Sequence, residues 1–209
     1  MSARSQPSPS NMKYIDWNPS IDIEPPVYID ANIFVGAIIR GHNLYHPCAK
    51  LIGNLLTNQS HILVSLISVE ESLWALTRQS YCDLMNQAPN ASFTRNAYKK
   101  WCAKIFATYG STRIGVVSSM LRDWSNAGLQ VEVIPKTEEL WNHVLNLAPL
   151  YMEKCELFPA DAFHLALAET HAKTFITADS DFASVPNKLS AIDLVILHVV
   201  KESLSTKSS

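Results

Sequence analysis

Acidic residues stand at several points of the sequence where a folded chain can use them. Asp30 ends the short apolar run Val27-Tyr28-Ile29. Asp179 and Asp181 follow a second such run, Thr174 to Thr177, in ITADSDF. Glu70 and Glu71 come early in the helical stretch that succeeds Ile62 to Ser65. Asp161 opens an alanine- and leucine-rich stretch behind Pro159, with His164 three residues on and so on the same helix face. Taken singly, each has an ordinary explanation. Asp is a common turn residue, an N-cap contributes about 1 kcal/mol, and an acid in a helix's first turn contributes roughly 0.3–1 kcal/mol. Taken together, they recur at equivalent ends of several strands. In open α/β sheets that is where functional groups collect.

Gathering them is costly. Two like charges about 4 Å apart repel by roughly 4 kcal/mol at an effective dielectric near 20. No Lys or Arg stands beside these motifs apart from Arg78, beyond Glu71. A hard divalent cation balances such a cluster, and all-oxygen ligands favour Mg2+ or Mn2+ over Zn2+.

The elements that must position these acids alternate. Strands are expected at 27–30, 62–65, 131–134, 174–177 and 194–200, and helices at 33–39, 46–56, 68–82, behind Thr137, and from Asp161. Such alternation predicts a three-layer α/β/α fold, its central, mainly parallel sheet covered on both faces. Residues 1–26 hold Pro7, Pro9, Pro19, Pro25 and Pro26 among many Ser and Asn and read as a flexible N-terminal arm, with Met12 as an alternative start. The main domain spans 27–200, and 201–209 form a tail. Residues 86–128 interrupt the rhythm with two helical stretches and no strand, an inserted helical hairpin.

With the elements in place, the set YIDANIFV, SLISVEESLWAL, ADAFHLALA and FITADSDF resembles the PIN domain family, which includes VapC-type toxin ribonucleases. The resemblance covers roughly 27–200. Asp30 with Asn32 matches the family's first motif; Ser65, Glu71 and Leu76 match its second, Glu70 less well. Asp161 matches the third motif and Asp179 the fourth, with Asp181 auxiliary. It implies that Asp30, Glu71, Asp161 and Asp179 are catalytic. With Asp181, they would hold one or two Mg2+ or Mn2+ ions and hydrolyse single-stranded or looped RNA, leaving 5′-phosphate and 3′-hydroxyl ends. It also implies an antitoxin protein and a second copy of the chain as partners. RNA processing outside toxin–antitoxin systems, and an inactive RNA- or protein-binding module, are the alternatives. A haloacid-dehalogenase phosphatase also places Asp after its first strand, but its second acid is replaced here by Asn32.

Neighbouring residues have two readings each. Asn32 orients Asp30 or caps a helix. Thr177 supports the site or is an ordinary strand residue. His164 reads as a core histidine and Ser65 as structural. His42 and His46 have a spacing zinc ligands use, but Gly41 and Pro47 mark a loop and no third ligand is in view.

The inserted segment carries six basic residues, Arg95, Lys99, Lys100, Lys104, Arg113 and Arg122, against Asp123 alone, in a chain of net charge −2. Tyr98, Trp101, Ile105 and Tyr109 form an adjacent stripe. This is an amphipathic helix with a solvated basic face, an RNA-guiding arm, or a seat for a partner protein. Four scattered cysteines without a CxxC pair indicate reduced thiols and a cytoplasmic protein. No apolar run is long enough to span a bilayer.

Overall fold

The computed structural model describes residues 12–86, 94–189 and 192–201, with 110–114 described by backbone alone. Among these described residues, six strands and eight helices follow one another: β1 (Lys13–Asp16), β2 (Val27–Ile29), α1 (Ala31–Ile38), α2 (Tyr45–Thr57), β3 (His61–Val64), α3 (Leu66–Met85), α4 (Arg95–Ile114), α5 (Val116–Asn126), β4 (Gln130–Val133), α6 (Glu138–Cys155), α7 (Pro159–His171), β5 (Thr174–Thr177), α8 (Val185–Lys188) and β6 (Val195–His198). A 3-10 turn, Ser180–Ser184, follows β5. The strands form one sheet in the order β1-β6-β5-β2-β3-β4, and every neighbouring pair is parallel.

The period-2 alternation of the strands divides the core between two faces. Tyr28, Leu63, Phe175 and Ile196 point to one side, against Leu140 and Val144 of α6 and Leu165 and Ala166 of α7. Val27, Ile29, Ile62, Ile176 and Leu197 point to the other, against Ile33 and Phe34 of α1 and Leu51 and Leu55 of α2. The result is the three-layer α/β/α architecture. Helices α1 and α2 approach closely at Gly36, where an added Cβ would lie 2.7 Å from Cys48 Sγ.

The chain reverses its direction of travel across the sheet at the β2/β5 pair. From β2 it proceeds outward through β3 and β4, then returns to place β5 on the other side of β2. A crevice therefore opens beyond the carboxyl ends of β2 and β5. The backbone N–H of Asp30 donates to the Ile176 carbonyl at 3.0 Å and closes the base of that crevice.

The N-terminal arm needs correction over its described part. Lys13–Asp16 pair in register with Val195–His198 as the sheet's edge strand, and Met12 and Ile23 are buried. Without β1, the edge of β6 would present unpaired backbone groups to solvent. Residues 1–11 and 202–209, expected as arm and tail, lie outside the described residues, as do 87–93 of the inserted segment.

In that segment, the α4 stripe divides. Ile105 is fully buried, and Trp101 and Tyr109 pack with it against Tyr81 and Cys82 of α3. Tyr98 instead meets Trp74 of α3, with ring centroids 5.6 Å apart. Lys100 and Lys104 lie over the Trp101 ring. Among the described residues, no helix is long and apolar enough to cross a membrane.

Candidate metal centre

Asp30 is the N-cap of α1, fixed there by the end of β2. Its carboxylate accepts from the Ala31 N–H at 2.6 Å, from Asn32 Nδ2 at 2.7 Å and from Thr177 Oγ1 at 2.7 Å. It is only 5% exposed, and burial raises its pKa, with His164 and the Thr177 hydrogen bond working against the rise. Asn32 also accepts from the Ala178 N–H at 2.9 Å, so its amide bridges the segments after β2 and β5. Of its two readings, orienting Asp30 is the one the geometry supports. Thr177 does more than occupy a strand: it donates to Asp30 and accepts from the Asp179 N–H at 3.0 Å.

Ser65 caps α3, accepting from the Ser68 N–H at 3.0 Å. That cap sets the phase of the helix. Successive residues point about 100° apart, and Glu71 is turned toward Asp30 while Glu70 is turned away, into a neighbouring hollow. Asp161 sits in the first turn of α7. Its pKa is raised to about 6 by burial and by the nearby Asp179 and Asp30 carboxylates. Asp179 caps the 3-10 turn by accepting from the Asp181 N–H at 2.9 Å.

These groups meet in a hollow of about 290 Å3 lined by Asp30, Asn32, His42, Glu71, Asp161 and Asp179, with Ala31, Val35 and Ala75. Two subclusters have ligand atoms within 4.8 Å of one another, Asp30 with Glu71 and His164, and Asp161 with Asp179 and Asp181. Asp181 is not among the lining residues and reaches the site only beside Asp161 and Asp179.

His164 is the residue that sequence reasoning placed in the core without a role. It is buried, at 1% exposure, yet its Nε2 lies 2.8 Å from Glu71 Oε2 and 3.5 Å from Asp30 Oδ1. Tyr28 donates its hydroxyl proton to Ser65 Oγ at 2.7 Å, so the 2.7 Å contact between Tyr28 and His164 Nδ1 is donated by the imidazole. Burial disfavours a charged ring, but Tyr28, Asp30 and Glu71 outweigh it and lift the His164 pKa well above its usual value. The ring thus ties Glu71 through β2 to the cap of α3. It stands behind the hollow and does not line it.

His42, on the loop between α1 and α2, lines the hollow without His46, so no two-histidine zinc site forms. Its Nδ1 accepts from the Leu44 N–H at 3.2 Å, which leaves the proton on Nε2. Burial first, then Lys201, lowers its pKa, and it is a neutral donor at pH 7.

The donor set fits a hard divalent cation. Carboxylates dominate, Asp30 is buried with its carboxylate already aligned, and no Lys or Arg is among the described lining residues.

The family model described as the PIN domain matches residues 27–188. Among solved structures, the chain is similar to VapBC2 from Rickettsia felis bound to a DNA fragment from their promoter. The identity is 14%, over 82% of this chain and 97% of that chain, with a TM-score of 0.46. No curated protein matches the chain.

Proposed function

The chain belongs to the PIN domain family, whose members are generally nucleases, and from that premise we propose that it is a Mg2+- or Mn2+-dependent endoribonuclease. Asp30, Glu71, Asp161 and Asp179 would hold the metal, with Asp181 beside the last two. A bound divalent ion supplies Lewis-acid chemistry, polarising the scissile phosphate, activating water and stabilising the leaving oxygen. The protein's own residues do the rest. Thr177 and Asn32 fix the Asp30 carboxylate through two side-chain donors. Asp161, with a pKa of about 6, is ionised at neutral pH and available as a ligand. His164 holds Glu71 toward the hollow. The Nε2–H of His42 is a neutral donor suited to a phosphate oxygen entering there. The substrate is single-stranded or looped RNA, whose backbone bends into an open hollow more readily than a duplex does. The products carry 5′-phosphate and 3′-hydroxyl ends.

The observation that carries this reading is the convergence of four carboxylates from four chain segments on one hollow with no Lys or Arg among its described lining residues. Purified protein incubated with structured RNA should cleave it in Mg2+ or Mn2+ and not in EDTA, and end-mapping should find 5′-phosphates. Cleavage undiminished in EDTA or in Asp30→Asn would defeat the mechanism. No cleavage in either metal, combined with no metal binding near millimolar concentrations, favours an inactive binding module.

Within this reading, we place the chain first in a toxin–antitoxin pair, in the cytoplasm, with an antitoxin and a second copy of the chain as partners. RNA processing is the other setting. Co-expression with the neighbouring reading frame separates them: relief of growth inhibition and co-purification support the toxin role.

A further inference from the structure

A second hollow, of about 610 Å3, opens between α3 and α4 and is lined by Glu70, Glu71, Trp74, Arg95 and Tyr98. Glu71 lines both hollows, so the second continues directly from the acidic one. Trp74 lies three residues beyond Glu71, on the same side of α3. Tyr98 packs beside its indole at an interplanar angle of 57°, yet Trp74 remains 41% exposed. It is thus a supported, partly exposed aromatic surface at the edge of the site.

The charges around it indicate what fits there. Helix α4 carries Arg95, Lys99, Lys100, Lys104 and Arg113 and no acid. Arg95 lines the hollow, and Lys99, one turn on, is exposed. An acidic hollow that requires a cation thus borders a helix that is uniformly basic. A polyanion entering the first hollow finds Arg95 beside it, with Lys99 one turn on, whereas an apolar protein segment would meet Glu70 and Arg95 at the aromatic surface.

We propose that Trp74, supported by Tyr98 and flanked by Arg95, is a stacking subsite for an unpaired base of single-stranded RNA, next to the nucleotide held over the acids. Arg95 takes the phosphate joined to that base. Stacking on an indole is tolerant of base identity, so the subsite selects for unpaired nucleotides more than for sequence. The proposal rests on the ribonuclease reading for its substrate class, but it is testable without turnover.

The test is fluorescence anisotropy of a labelled single-stranded oligoribonucleotide, and of its duplex, with the full chain in EDTA. Trp74→Ala should weaken single-strand binding about tenfold and leave duplex binding unchanged, while Trp74→Phe retains most of the affinity. Arg95→Ala should reduce the slope of log affinity against log salt by about one phosphate contact. Melting curves establish that each variant is folded. Unchanged single-strand affinity in folded Trp74→Ala overturns the proposal, as does equal weakening for single strand and duplex; either leaves the surface to a protein segment. A protein that binds RNA through Trp74 yet never cleaves it sinks the nuclease reading alone.

Discussion

Replacing His164 with leucine removes the positive ring that stands between Asp30 and Glu71 while keeping an apolar side chain of helix-compatible shape in α7. Asp30 retains its three hydrogen-bond donors, and Tyr28 retains Ser65 as acceptor. What is lost is the 2.8 Å contact to Glu71, the 3.5 Å contact to Asp30 and the 2.7 Å hydrogen bond from Nδ1 to the Tyr28 hydroxyl. Removing one partner of a buried ion pair costs about 3–5 kcal/mol. The Glu71 side chain is 31% exposed, so water replaces part of the contact, and we expect a loss of about 2–3 kcal/mol. For a domain of this size that lowers Tm by about 4–12 °C. The measurement is thermal unfolding by circular dichroism in EDTA and again in millimolar Mn2+. A cation in the hollow substitutes for the missing positive charge, so Mn2+ should raise the variant's Tm by more than it raises the wild type's. The pH dependence has a definite sign. The folded-state pKa of His164 lies well above the unfolded value near 6.5, so its contribution is complete below pH 6.5 and is lost only as pH rises through the folded value. A variant melting within about 1 °C of wild type in EDTA would refute the assignment of His164 as the internal partner of these acids.

Two further outcomes follow from the same geometry. Thr177→Val keeps the strand's shape but removes a donor to Asp30 and an acceptor for the Asp179 N–H; it should cost about 1–3 kcal/mol in denaturant unfolding and about 10- to 100-fold in calorimetric Mn2+ affinity. Asp161 holds its proton more tightly folded, at about 6, than unfolded, near 3.8. Metal-free stability should therefore fall as pH rises from about 4 to about 6, the window in which the folded state binds more protons. Apparent Mn2+ affinity should climb across the same window, because binding needs the ionised form.

The acids were legible because each follows a strand end or opens a helix whose pattern is local. Asp30 after Val27-Tyr-Ile29 and Asp179 after Thr174-Phe-Ile-Thr177 place themselves once the sheet is read as parallel. Glu70 against Glu71 was not legible, since the choice depends on helix phase, and that is set by the Ser65 cap. Strand β1 was hidden for a different reason. The run Lys13-Tyr-Ile-Asp16 is short and sits among prolines and polar residues, and it is a strand only because β6 offers it an open edge. The choice between the two readings of Asn32 and of Thr177, and the contacts of His164, were also out of reach. Asn32 and Thr177 are 145 residues apart, and Glu71 and His164 are 93 apart. No spacing rule connects them, so their roles appear only when β2, α3, β5 and α7 are assembled. His42 was expected on a loop without a zinc partner set, and only the assembled fold turns it, without His46, toward the acids.

The acid hollow's claim on a divalent cation is tested most directly by anomalous diffraction from crystals of the protein soaked in millimolar Mn2+. An anomalous peak within ligand distance of the Asp30 and Asp179 carboxylates, absent from Asp30→Asn crystals, is the predicted result. A hollow without a peak in the wild-type protein, its carboxylates still converging, would contradict the account.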